Sequence, residues 1–211
     1  ADHGQSFGEH GYGGPEGKHG RRTYQSCLAA PLIFWSPSRI PGGRKIDWPV
    51  AHVDLFPTLA DLAGVTPEHW PADVVGENLA EVLREPDVEP PWGQQRRIRY
   101  SMAFGGATGN TWNLFRFLQN KRVKQANPRY LASLEGTNKL IVDPKAPKQF
   151  ELYDLSTDPG EFTPLTGSRR QAQAARVTKL LEWYEATRTI LAQKKTSKAD
   201  LEALKSLGYV D

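Results

Sequence analysis

Apolar positions along this chain follow three different spacings, and each spacing predicts a different kind of element. Ala30-Pro31-Leu32-Ile33-Phe34-Trp35 is a short continuous apolar run closed by Ser36-Pro37. A run without polar alternation fits a strand buried on both faces of a parallel sheet. The turn-rich connector from Ser38 to Arg44 follows, and then the spacing becomes helical. Leu55, Leu59, Leu62 and Ala63 predict one apolar helix face, with Asp54 as the cap, Pro57 tolerated in the first turn and Gly64 as the stop. Strand, loop and helix in this order predict a unit of an α/β fold.

Between Val65 and Gly93 the density of Pro, Glu and Asp rises around a short helical stretch from Asn78 to Arg84. The chain is expected to divide there, into an α/β part over 1–90 and a C-terminal α+β subdomain over 91–211. Ile98 to Phe104, Leu114 to Leu118, Lys139 to Val142 and Phe150 to Leu155 are short strand-like runs separated by polar turns, which predict a small antiparallel sheet. From Ser168 the spacing returns to helical: Val177, Leu180, Leu181, Tyr184 and Leu191 share one face of a long helix expected to pack on that sheet. A final short helix is predicted from Lys198 to Ser206.

Charge narrows the function classes. The 27 Lys and Arg are scattered among 24 Asp and Glu, a net charge of +3, so the basic residues form a mixed solvated surface rather than a nucleic-acid groove. Local clusters at Arg21-Arg22, Arg96-Arg97 and Lys121 to Lys124 could still meet an anionic substrate. No apolar run approaches the ~18 residues of a membrane span. The single cysteine, Cys27, permits no internal disulfide and leaves the compartment open.

The candidate chemistry lies at the start. Asp2 and His3 stand side by side, and seven glycines follow between Gly4 and Gly20. So much glycine cannot build a core strand, because it adds no apolar surface and costs backbone entropy on ordering. The pair reads either as two metal ligands delivered into a site or as turn chemistry. A metal needs further ligands and nothing precedes Ala1 to supply them, so the chain is expected to be a piece of a longer protein. Lys18 and Arg21 are candidate anion-binding cations, and His10 and His19 candidate acids. His52 and His69 are expected to be structural or exposed.

The ordered set of segments resembles the second half of a sulfatase of the alkaline phosphatase superfamily. It comprises Asp2-His3-Gly4, Gly8-Glu9-His10-Gly11, Ala30-Pro31-Leu32-Ile33, Ser36 to Gly43, Val53 to Val65, Glu151-Leu152-Tyr153-Asp154-Leu155, Asp158-Pro159-Gly160-Glu161 and Leu204 to Val210. The resemblance implies an α/β fold, part of an alkaline-phosphatase-like sandwich, with the small antiparallel sheet and long helix at its C-terminal end. It implies a divalent metal, usually calcium, held by Asp2 and His3 with ligands from elsewhere. It also implies a sulfate-binding cation before Tyr24: Arg21 stands at the register where the family carries lysine, and Lys18 is displaced by three residues. His10 or His19 could protonate the leaving alkoxide.

The family nucleophile is a formylglycine made from a Cys/Ser-x-Pro-x-Arg motif, which this chain lacks; it is expected in a missing N-terminal half. Cys27 has its proline out of place, and Trp35-Ser36-Pro37-Ser38-Arg39 carries Trp35 at the nucleophile position. Ala29 stands where relatives often carry arginine. The expected function is therefore the C-terminal portion of a sulfate ester hydrolase, inactive alone, acting on a small-molecule or carbohydrate sulfate and periplasmic or secreted by resemblance. The alternatives are a phosphodiesterase or phosphonate monoester hydrolase of the same superfamily, or a non-catalytic polyanion-binding module.

Overall fold

The computed structural model describes residues 1–19, 21–85, 87–88, 97–104, 128–193 and 202. The N-terminal part holds three short helices: α1 (Gln25–Leu28), α2 (Leu55–Leu62) and α3 (Ala80–Arg84). Leu62 of α2 packs with Leu79, Ala80 and Leu83 at α3, and Phe34, Ile40, Ile46 and Val50 close this small core. Helix α2 ends as predicted at Gly64, whose φ of +84° turns the chain while Val65 N–H reaches back to the Ala60 carbonyl at 2.8 Å.

A four-stranded antiparallel meander follows, in the order β1 (Ile98–Phe104), β2 (Pro128–Glu135), β3 (Asn138–Val142) and β4 (Glu151–Asp154). Register sorts its side chains with period two. Leu131 pairs with Val142 and Ala132 with Ile141; Leu140 pairs with Leu152 and Lys139 with Tyr153. One face therefore presents Leu131, Leu140, Val142 and Leu152. Against it pack Val177, Leu180 and Tyr184 of α5 (Ala174–Gln193), which follows the short α4 (Gly167–Ala172). Tyr100 and Trp183 extend this core with rings stacked at 4.5 Å. The opposite face carries Ala132, Ile141 and Tyr153, and it is closed by Tyr24 from the segment that leads into α1. The sheet is thus the wall on which the N-terminal segment rests.

Several expectations are corrected. The run from Ala30 to Trp35 forms no strand, and Ile33 and Trp35 are 85% and 84% exposed. No described strand lies beside it to complete a ladder, because the described sheet is the C-terminal meander. The buried face of α2 is not the predicted one: Leu59 is 52% exposed and Ala63 is exposed, whereas Pro57, Thr58 and Leu62 are buried. The apolar count misplaced the face because two of its buried positions, Asp54 and Thr58, are polar.

Asp54 does not cap α2. Its buried carboxylate turns back to accept from Ala51 N–H at 2.8 Å, from Glu77 N–H at 2.9 Å and from Arg97 at 2.7 Å. Thr58 Oγ1 in turn accepts from Leu79 N–H at 3.0 Å. Strand β2 was not foreseen, and the helix expected from Ser168 is two helices that meet at Gln173. The Leu114 to Leu118 run, nearly all of Lys198 to Ser206 and the boundary near residue 90 lie outside the described residues.

Candidate active site

Glycine at position 4 sets where Asp2 and His3 stand. Its N–H donates to the Cys27 carbonyl at 2.9 Å, and a Cβ there would lie 2.3 Å from the Ser26 carbonyl oxygen. Only a residue without a side chain lets the N-terminal segment run this close to α1. Further on, Ser6 and Lys18 exchange two backbone hydrogen bonds of 2.9 and 2.7 Å, so the glycine-rich loop between them closes on itself. Ser6 Oγ, buried, ties the loop from inside through the Tyr12 carbonyl at 2.6 Å and the Glu9 carboxylate at 2.9 Å.

Asp2 is 89% exposed, with Oδ2 3.6 Å from His3 Nε2. Its own backbone N–H and the neighbouring imidazole hold its carboxyl below the usual aspartate range. His3 Nδ1 lies 2.7 Å from the Gly4 carbonyl, an acceptor, so Nδ1 carries a proton and Nε2 faces the Asp2 side. An imidazole fixed by a carbonyl on one nitrogen and open on the other is the arrangement of a metal-ligating histidine. With one carboxylate oxygen beside it, the pair fits part of a divalent cation's ligand set. No group of three or more His, Cys, Asp or Glu assembles among the described residues.

The histidines separate into two clusters. His19 stacks on His3 with ring centroids 3.9 Å apart, and its Nδ1 lies 3.2 Å from Gln5 Oε1. His10 lies elsewhere, stacked at 3.7 Å on Tyr24 and at 5.3 Å on Phe162, in a left-handed backbone conformation with φ +56°. Lys18 and Arg21 are both exposed on the loop that leads to Tyr24. Cys27 is buried, its thiol pushed up by burial and 3.9 Å from the Lys18 carbonyl. Ser36 begins a turn that accepts from Arg39 and Ile40 N–H at 2.9 and 2.8 Å. His52 and His69 are exposed.

Behind the loop lies a polar network that the sequence reading did not include. Arg22 donates to Tyr130 Oη and lies over its ring, 4.7 Å from the centroid. Tyr24 and Tyr153 both donate to Glu151 Oε2, at 2.7 and 2.6 Å, and burial pushes both phenols above the usual tyrosine range. Gln25 N–H donates to Glu161 Oε2. Lys139 Nζ donates to Gln25 Oε1 at 3.1 Å and pairs with Glu161 Oε1 at 2.6 Å, with both charged side chains 1% exposed. Two signals in the sequence pointed here: a lysine beginning the apolar run Leu140-Ile141-Val142, and Glu161 closing Asp158-Pro159-Gly160-Glu161.

The family model described as Sulfatase matches residues 1–65. An N-acetylglucosamine-6-O-sulfatase of Bacteroides thetaiotaomicron is 26% identical over 187 residues, covering 89% of this chain and 29% of that protein. A sulfatase of Formosa agariphila is 40% identical over 65 residues, covering 31% of this chain and 12% of its own length. A solved structure of BT4656, in complex with its substrate D-glucosamine-2-N,6-O-disulfate, matches 92% of this chain and 35% of its own. Its TM-score is 0.56 at 22% identity, which shows a shared fold. The chain spans less than a third of the length of these curated relatives. The family match begins at the Asp2-His3 segment and runs through the helix stopped by Gly64, and the similarity to the longer relative extends into the C-terminal sheet; over residues 1–65 the chain is similar to the sulfatase family.

Proposed function

We propose that this chain supplies one side of the catalytic site of a sulfate ester hydrolase, with the nucleophile contributed by sequence outside these 211 residues. The carrying observation is the Asp2–His3 pair, fixed by Gly4 against α1 inside the segment that matches the sulfatase family. Asp2 and His3 would hold a divalent cation, calcium by family resemblance, and the cation when bound supplies positive charge against the anionic ester. Asp2 is the oxygen ligand that a hard cation favours, and His3 is oriented for it by the Gly4 carbonyl.

Arg21 and Lys18 bind the sulfate oxygens, Arg21 with a planar fork and Lys18 as a point charge. His19 rather than His10 is placed to pass a proton to the leaving oxygen. It stacks on His3, and its contact with an acceptor at Nδ1 leaves Nε2 for substrate. His10 is packed on Tyr24 and Phe162, where its contribution is to hold the loop. The names of the Bacteroides relative and of the BT4656 substrate support a sulfated amino sugar as substrate class.

The test uses the full-length protein with an aryl sulfate and with glucosamine 6-O-sulfate, before and after chelation. Release of sulfate that falls on chelation and returns with calcium is the expected result. Turnover of phosphate or phosphonate esters in place of sulfate esters would reassign the substrate. Turnover by residues 1–211 alone, at an enzymatic rate, would remove the need for an outside nucleophile.

A further inference from the structure

Resting on that reading of Arg21 and Lys18, we propose that Gln25, Lys139 and Glu161 form a positioning ring that fixes the sulfate-binding loop on the C-terminal sheet. The ring closes through three contacts. Gln25 N–H reaches one Glu161 oxygen, Lys139 Nζ reaches the other at 2.6 Å, and Lys139 returns to Gln25 Oε1 at 3.1 Å. Its members come from three places: the first residue of α1, the middle of the sheet at β3, and the loop beyond β4. Strand pairing forces Lys139 onto the site side, because its neighbours Leu140 and Tyr153 fall on alternate faces.

The ring is built at a cost, which argues for a specific use. Taking two charges out of water is often no better for stability than an apolar pair of the same volume. Glu161 also adopts a left-handed backbone conformation, φ +59°, which a side chain occupies only when its surroundings hold it there. What these costs secure is visible in the sequence before Gln25. Helix α1 has no side-chain cap of its own, so the Glu161 carboxylate receives its first N–H. Three residues upstream, Arg22 is tied to Tyr130 on β2, and Tyr24 to Glu151 on β4. Arg21 is therefore the exposed residue next to a segment pinned to β2, β3, β4 and the loop after them.

The experiment is a double-mutant cycle in the full-length protein, with 4-nitrocatechol sulfate as probe, together with amide hydrogen exchange. Lys139→Met with Glu161→Leu removes the ring while leaving an apolar pair. We expect a folded protein whose residues 21–28 exchange faster, with kcat lowered about tenfold and KM changed less. Arg21→Ala should cost more than ~10²-fold in the wild type and about tenfold less than that in the ring-free background, because the ring acts through the placement of that cation. Glu161→Gln, which keeps an oxygen for Gln25 N–H, should recover part of kcat relative to Glu161→Leu.

Additive losses with unchanged exchange at residues 21–28 overturn the inference. If the ring-free variant does not fold, Gln25→Ala carries the same cycle with both charges kept. Arg21→Ala without effect in the wild type overturns the sulfate reading of Arg21 instead. Faster exchange in the variant would then still assign the ring its hold on the segment, whereas unchanged exchange would remove both.

Discussion

A carboxylate offers a hard cation a charged oxygen, whereas an imidazole offers one neutral nitrogen, so Asp2 and His3 are unequal partners in a shared site. Asp2→Ala should cost more calcium affinity in the full-length protein than His3→Asn, read by calorimetric titration; equal affinity in Asp2→Ala and wild type would remove Asp2 from the site. The two exposed cations are unequal for another reason. Arg21 is next to Arg22, which Tyr130 fixes, while Lys18 is held through its backbone, by pairing with Ser6 and by the Cys27 thiol at its carbonyl. Arg21→Ala is expected to lower turnover more than ~10²-fold with Lys18→Ala mild, and Arg21→Lys should recover part of the loss because the point charge survives. A crippled Lys18→Ala beside a near-normal Arg21→Ala would exchange their roles.

At the scale of elements, burial separates residues that look alike in sequence. Leu180 on α5 is fully buried against the sheet, and Leu59 on α2 is 52% exposed. Leu180→Ala should destabilise by about 2–5 kcal/mol, the usual cost of emptying a leucine site in a core, and Leu59→Ala by well under half of that. Asp54 tests the corrected reading of α2. As a helix cap its removal would cost about 1 kcal/mol; as the buried partner of Arg97 with two backbone donors besides, Asp54→Ala should cost about 3–5 kcal/mol. Denaturant midpoints at constant slope measure both. The apolar spacing of α5 was legible because its inward residues Val177, Leu180 and Tyr184 keep the helical period. That of α2 was not, because its buried face includes a carboxylate and a hydroxyl that only tertiary partners satisfy.

For the molecule as a whole, the Lys139–Glu161 pair links the N-terminal segment to the sheet and makes that link sensitive to pH. Burial lowers Lys139 from 10.5 to about 8, against the upward pull of Glu161, Cys27 and Glu151 around it. Between these two values the unfolded chain holds a proton that the folded chain has released. The contribution of this group to stability therefore rises with pH across that window and is lowest below 8. Relative to Lys139→Met with Glu161→Leu, the wild type should gain stability from pH 7.5 to 10 in urea melts. A difference that stays flat would show that Lys139 keeps its ordinary proton affinity when folded.

Local chemistry in the chain was enough to mark the Asp2-His3 pair, the glycine-rich loop, the stop at Gly64, strand β1 and the long C-terminal helix, since each depends on residues close in sequence. The ordered segments were enough to point to the family. What only the tertiary structure decided is which polar residues are buried and with whom. Gln25 meets Glu161 across 136 positions and Lys139 across 114. No periodicity or spacing encodes such contacts, because a buried charge is stable only where folding brings its partner. The same reason separates His10 from His19: both follow glycine-rich sequence, and only the fold sets one on Tyr24 and the other on His3.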